Sequence, residues 1–250
     1  MTDVNLYESR ALRDITGPAI RPGGFQLTDR GLAYCGLAPG ARVLDIGCGT
    51  GATVHHLRFQ HGLWAMGIDR SFTLLEEGAR SNGGLPMVRG CAEQIPIGNE
   101  SVEAVFCECV LSLCPDPLGT LQEVVRVLQV GGYLVLTDVY SRDSSVPAQE
   151  VDKSSVDCCL QGAVGRTTVE ARIAAAGFDL LLWEDHSMLL KQLAGQLIWT
   201  YGSLDAFWSV IAGPDAAGAF NSGGGGECRR PGYYLLVAQR PDGEKLWTKQ

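Results

Sequence analysis

The 250-residue chain is 46% hydrophobic and carries 20 basic against 28 acidic side chains, a formal net charge of -8. That size and apolar share fit one domain with a sizeable core, and the acidic excess argues against nucleic acid as a partner, since a phosphate backbone attracts positive charge. No apolar run approaches the roughly 20 residues of a membrane helix and the first ten residues are too polar for a signal peptide, so a cytoplasmic protein without a membrane partner is expected, its nine cysteines held as thiols.

Residues 1–27 carry the breakers Gly17-Pro18 and Pro22-Gly23-Gly24 and read as a cover segment draped over the core. Thr28 to Cys35 is a predicted helix. Val43 to Gly51, V-L-D-I-G-C-G-T-G, is a strand feeding a tight glycine loop, which opens a helix from Ala52 to Gln60. Leu63 to Asp69 is a second strand ending in an acid, a third short strand precedes Gly90, and the fourth lies within Val102 to Leu113. Pro117 to Gln129 shows Leu121, Val124, Val125 and Leu128 on one helical face and stops at Gly131-Gly132. Tyr133 to Asp138 is a fifth strand and Ser141 to Ser155 a polar loop. Thr167 to Ala176 is a helix capped by Thr167 or Thr168, and Phe178 to Glu184 is a sixth strand.

His186 to Ile211 reads as one or two helices, Gly223 to Gly226 as a flexible tract, and Tyr233 to Ala238 as the last strand. Alternating strands and helices imply βαβ units. The expected architecture is a single α/β domain over residues 1–250: a doubly wound, mostly parallel seven-stranded sheet, with a helical lid inserted at 186–228 before the last strand.

Gly47, Gly49 and Gly51 allow the sharp turn and the close approach of a ligand, and the helix start behind them offers unpaired N–H groups. A dinucleotide fingerprint counted from Gly47 ends on Ala52, which keeps a nicotinamide-dependent oxidoreductase as an alternative. The acid-led D-x-G-x-G-x-G at Asp45 to Gly51 resembles motif I of the class I S-adenosylmethionine (SAM) dependent methyltransferases. The strand ending at Asp69 and the Gly90-Cys91-Ala92-Glu93 segment follow in that family's order, and the resemblance spans roughly Thr28 to Tyr140.

The resemblance implies a Rossmann-like methyltransferase fold whose last strand runs antiparallel, SAM as cofactor and a small molecule as methyl acceptor. It implies that Asp45 and the loop residues Gly47, Cys48, Gly49 and Gly51 hold the methionine part, that Asp69 with Arg70 holds the ribose side, and that Cys91, Ala92 and Glu93 face the adenine. Glu108 falls near the point where the fourth strand meets the ligand. Cys91 stands where the family usually has aspartate, so the adenine contact passes to the backbone or to Glu93. A non-catalytic SAM-binding module is a further alternative, and an oxygen, nitrogen or carbon acceptor stays open. SAM carries its own activated methyl, so no catalytic residue is assigned.

Cys35 and Cys107 have apolar neighbours and read as small buried hydrophobes. Cys109 follows the fourth strand and could also reach the ligand edge. Cys158, Cys159 and Cys228 stand among Asp157, Gln161, Glu227, Arg229 and Arg230, a polar setting that favours thiolates. The segments C-V-L-S-L-C-P-D at Cys109 to Asp116 and C-C-L-Q-G-A at Cys158 to Ala163 resemble arsenite methyltransferases. The resemblance implies a thiolate-bound metalloid such as arsenite, held here by Cys158, Cys159 and Cys228, although the further cysteine of that family is absent from Thr53 to His56. His55 and His56 are adjacent on a helix and point to different faces, so no paired metal site is expected from them. His186 reads as structural.

Overall fold

The computed structural model describes residues 4–143, 156–213 and 230–242. The chain begins with β1 (Val4–Asn5), a short 3-10 turn and α1 (Arg10–Thr16), then passes through a second 3-10 turn at Gly17–Ala19 into α2 (Gln26–Cys35). The alternating half follows: β2 (Arg42–Ile46), α3 (Ala52–Phe59), β3 (Trp64–Asp69), α4 (Phe72–Ser81), β4 (Met87–Arg89), β5 (Val102–Glu108), α5 (Pro117–Val127) and β6 (Leu128–Ser141). The remainder holds β7 (Val156–Asp157), α6 (Arg166–Ala175), β8 (Asp179–Asp185), α7 (Ser187–Tyr201), α8 (Leu204–Ala212) and β9 (Pro231–Gln239).

Seven strands form one sheet in the order β4-β3-β2-β5-β6-β9-β8. The first five are mutually parallel, and β9 lies antiparallel between β6 and β8. β1 and β7 make a separate two-stranded parallel pair. Pleating sends alternate side chains to opposite faces. Leu44, Val105, Leu134 and Leu136 pack with Leu121 and Val124 of α5 on one face; Val43, Phe106 and Val135 pack with Leu32 of α2 and Val54 and Leu57 of α3 on the other. Both faces are covered, which is the doubly wound arrangement, and β9 starts opposite Ser141, at the edge where the parallel strands end.

The structure moves several boundaries. The helix expected to reach Gln129 ends at Val127, because Leu128 already pairs with Val102 as a strand residue. β6 therefore starts before Gly131-Gly132 and runs through them. α6 starts at Arg166 behind Gly165, with no side-chain cap from either threonine. α4 was not anticipated, although Ser71 caps it through a 3.1 Å bond from the Leu74 N–H. Of the expected lid, residues 187–212 form two helices with a break at Gly202-Ser203, and residues 214–228, including the glycine tract, lie outside the described residues.

A third apolar cluster joins the start of the chain to this insertion: Leu6 and Leu12 pack with Cys158, Leu197, Phe207 and Trp208. Among the described residues no helix is long and apolar enough to cross a membrane. Each of the eight described cysteines is a free thiol.

α4 lies so close to the glycine loop that a Cβ on Gly78 would collide with the carbonyl of Thr50. A helical glycine to alanine change ordinarily stabilises by about 1 kcal/mol. Here the collision should reverse the sign, and Gly78→Ala should cost about 1–3 kcal/mol of stability in a urea titration. An unchanged or raised midpoint would show that α4 can back away freely.

Candidate functional site

β2 ends at Ile46 and the chain turns away at the carboxyl edge of the sheet. The N–H groups of Gly47 and Cys48 donate to the Ile68 carbonyl at 2.8 and 3.0 Å, and that of Gly49 donates to Asp69 Oδ2 at 2.7 Å. Gly49 has φ +54°, and a Cβ there would meet only Ile20 and Leu74 side chains at 3.8 and 3.9 Å. The backbone angle and the space left to a ligand restrict this position, not packing. Asp69, at the end of β3, accepts the Ser71 N–H on its other oxygen at 2.7 Å. One carboxylate thus fixes the loop after β2 and the start of α4 together. Burial raises its pKa, and the Ser71 and Gly49 N–H groups hold it back.

These elements border a cavity of about 350 Å³. Of the residues expected at a cofactor, Asp45, Gly47, Cys48, Gly49, Asp69, Arg70, Cys91, Ala92, Glu93 and Glu108 line it. Gly51 does not: it starts α3 at φ +83°, and the Met87 sulfur fills the space beside it. The lining carries five acids, Asp45, Asp69, Glu93, Glu108 and Asp116, against Arg21 and Arg70.

Asp45 is 3% exposed and its Oδ2 has no hydrogen-bond partner. Burial, then the Glu108 carboxylate, push its pKa well above the usual range, against the pull of Arg21. An orphaned acceptor in an acidic cavity suits a ligand that brings a positive charge. It does not suit a dinucleotide, whose pyrophosphate would add negative charge.

Glu108 is already engaged. Arg21 reaches its Oε2 at 2.9 Å, Thr28 donates to Oε1 at 2.9 Å and Thr53 to Oε2 at 3.4 Å. Arg21 comes from the cover segment, which the sequence places over the core without saying what it touches. Glu8 fastens the same segment by accepting from the Ser71 hydroxyl at 2.7 Å, and Tyr7 by accepting the Cys159 N–H at 3.1 Å.

The cysteines sort differently from expectation. Cys158 is 1% exposed, inside the apolar cluster of Leu6, Leu12, Leu197, Phe207 and Trp208, rather than in an open polar setting. Cys159 stands behind Tyr7, and burial, then Cys109, raise its pKa well above the ordinary thiol value. Neither lines the cavity, and Cys228 lies outside the described residues. The cysteines that do line it are Cys48, Cys91, Cys109 and Cys114. Cys109 has φ +59°, a strained angle for a residue with a Cβ, and its sulfur is 3.2 Å from the Tyr233 hydroxyl. Burial raises Cys109 and pushes Cys114 up to about 11. Cys109 thus reaches the ligand edge, as its position directly after β5 predicts.

Residues 44–136 match the family model described as a methyltransferase domain. The chain is 27% identical over 159 residues to an arsenite methyltransferase of Halobacterium salinarum, covering 59% of this chain and 39% of that one. It is 34% identical over 106 residues to a demethylmenaquinone methyltransferase of Mycobacterium sp. (strain KMS), covering 42% and 45% respectively. The chain thus spans less than half the length of these two relatives. A phosphoethanolamine N-methyltransferase 2 of Haemonchus contortus in complex with S-adenosyl-L-methionine superposes with a TM-score of 0.70 at 19% identity, covering 93% of this chain and 56% of that one.

Proposed function

We infer that this chain, which carries a methyltransferase domain at residues 44–136, transfers a methyl group from SAM to a small molecule. The observation that carries the reading is the unpartnered, buried Oδ2 of Asp45 in an acidic cavity beside the glycine loop. The cofactor supplies a methyl already activated on a sulfonium, so the protein need only bind, orient and exclude water. Asp45 with Gly47, Cys48 and Gly49 would take the methionine part, Asp69 and Arg70 the ribose side, and Cys91, Ala92 and Glu93 the adenine. Glu108, tied to Arg21 and two threonines, positions the cover segment. The same reading makes residues 1–27 and the insertion at 186–228 a joint cover on the acceptor side, supported by the apolar cluster they share.

A thiol-bound metalloid such as arsenite is the narrower reading of the acceptor. Support comes from the arsenite methyltransferase relative and from Cys109 and Cys159, both close enough to Tyr7 to raise its pKa behind the main effect of burial. Both thiols are raised by burial, so such an acceptor must displace their protons. Acceptors of other chemistry need no thiolate and fit the same cavity.

The test is calorimetric. Without ligand the Asp45 pKa lies above the usual carboxylate range, and a ligand ammonium beside it would pull it down. Binding of S-adenosylhomocysteine should therefore release a proton between those two values, with affinity rising with pH up to the ligand-free value and level above it. Heats measured in buffers of different ionisation enthalpy report that proton. Asp45→Asn should abolish it and weaken binding. NAD binding as tightly as S-adenosylhomocysteine, or no change in the variant, would remove this assignment.

A further inference from the structure

Where α2 meets α3 and the turn that follows it, outside the cavity lining, three side chains converge. Asp29 Oδ1 lies 2.6 Å from His56 Nε2 and 2.9 Å from His61 Nε2, and the two nitrogens are 3.3 Å apart. We propose that Asp29, His56 and His61 form a binding site for one zinc(II) or a similar divalent transition ion.

The nitrogen separation matches the demand of the ion. Two imidazoles each about 2.0–2.1 Å from one tetrahedral zinc stand about 3.3 Å from each other. The carboxylate oxygen is closer than that because both rings now hydrogen-bond to it. It belongs to the most exposed of the three side chains, 47% against 15% and 31%, and needs only a small rotation to open the site. Two imidazoles with one carboxylate suit zinc and its neighbours, while magnesium and calcium call for oxygen shells. Three protein ligands at the surface leave a fourth position to water, the pattern of an open site.

The ligands are held before any ion arrives. The His56 ring stacks on Phe25 at 4.2 Å with 6° between the planes, and meets the His61 ring edge-on at 4.9 Å. His61 sits in the turn after α3, which is closed by bonds from Leu63 N–H to the Leu57 carbonyl at 3.1 Å and from Gly40 N–H to the Gly62 carbonyl at 2.9 Å. Among the described residues no other trio of histidine, cysteine, aspartate or glutamate ligand atoms converges within 4.8 Å. An ion there would tie α2 to α3, the two helices whose Thr28 and Thr53 hold Glu108.

The experiment uses the full chain stripped of metal, titrated with zinc against a coloured chelator and with cobalt as a spectroscopic probe. One equivalent should bind, raise the melting temperature, and give weak visible cobalt bands without the intense near-ultraviolet absorption of thiolate ligation. His61→Ala and Asp29→Ala, both at accessible positions, should each weaken zinc by more than the roughly 10–100-fold that loss of an outer-shell partner costs. No uptake by the parent, thiolate absorption from its first equivalent, or variants that bind as tightly as the parent would each overturn the site.

Discussion

Replacing Arg21 by alanine should lower the unfolding free energy by about 3–5 kcal/mol, the cost of leaving a buried charge without its partner. Arg21 and Glu108 meet at 2.9 Å with side chains 6% and 2% exposed. The guanidinium also donates to Thr28 Oγ1 at 2.7 Å, Thr53 Oγ1 at 3.0 Å and the Gly24 carbonyl at 3.0 Å. One side chain therefore satisfies three segments at once, and its removal strands all of them. For a chain of this size the loss corresponds to a fall in melting temperature of about 6–20 °C. Removing both charges, as Arg21→Met with Glu108→Leu, should recover most of it, since a buried pair is nearly matched by apolar groups of similar volume. A single variant within about 1 kcal/mol of the parent would mean that water reaches Glu108.

Asp69→Ala should have the largest effect on cofactor affinity. Its two oxygens accept Gly49 N–H and Ser71 N–H, each at 2.7 Å, and a carboxylate has about four acceptor sites. Two stay available to ribose hydroxyls. Alanine would remove these and also free the loop, at about 1–3 kcal/mol for each polar group left unpaired, or roughly 5- to 150-fold in affinity. Gly49→Val should act similarly by pressing a branched side chain into the ligand's space. S-adenosylhomocysteine titrations of both variants decide the matter, and parent-like affinity in both would move the cofactor elsewhere.

Local signals carried the sheet and its loop. The run from Val43 to Gly51 is read correctly because an apolar strand, a terminal acid and spaced glycines are all adjacent in sequence. Leu128 continues the apolar spacing of α5 and is equally at home in β6, so sequence spacing cannot assign it and its pairing with Val102 decides. The burial of Cys158 is not legible from its polar sequence neighbours, because the apolar residues packed on it arrive from positions 6, 12, 197, 207 and 208. The Asp29, His56 and His61 group leaves little local trace, since His56 and His61 stand five residues apart and Asp29 comes from another helix. The adjacent His55 and His56 point to different faces, and the approach of Asp29 and His61 to His56 depends on how two helices and a turn pack.

The placement of β9 between β6 and β8 governs how the sheet can be completed. β6 and β8 both run antiparallel to β9, hence parallel to each other, and β8 is made first. During synthesis β6 leaves the ribosome with a bare backbone edge, and the next sheet strand to emerge is one that must not stay beside it. Val135 and Leu136 of β6 and Tyr233 to Ala238 of β9 are all buried in the finished sheet, so the unfinished state exposes both an apolar surface and an unpaired edge. Closure waits for β9, the last strand, to pair with β6 on one side and β8 on the other, a long-range step that is slow and open to aggregation. The rate at which that last strand arrives, as well as the stability of the folded protein, then bears on how much of this chain folds rather than aggregates.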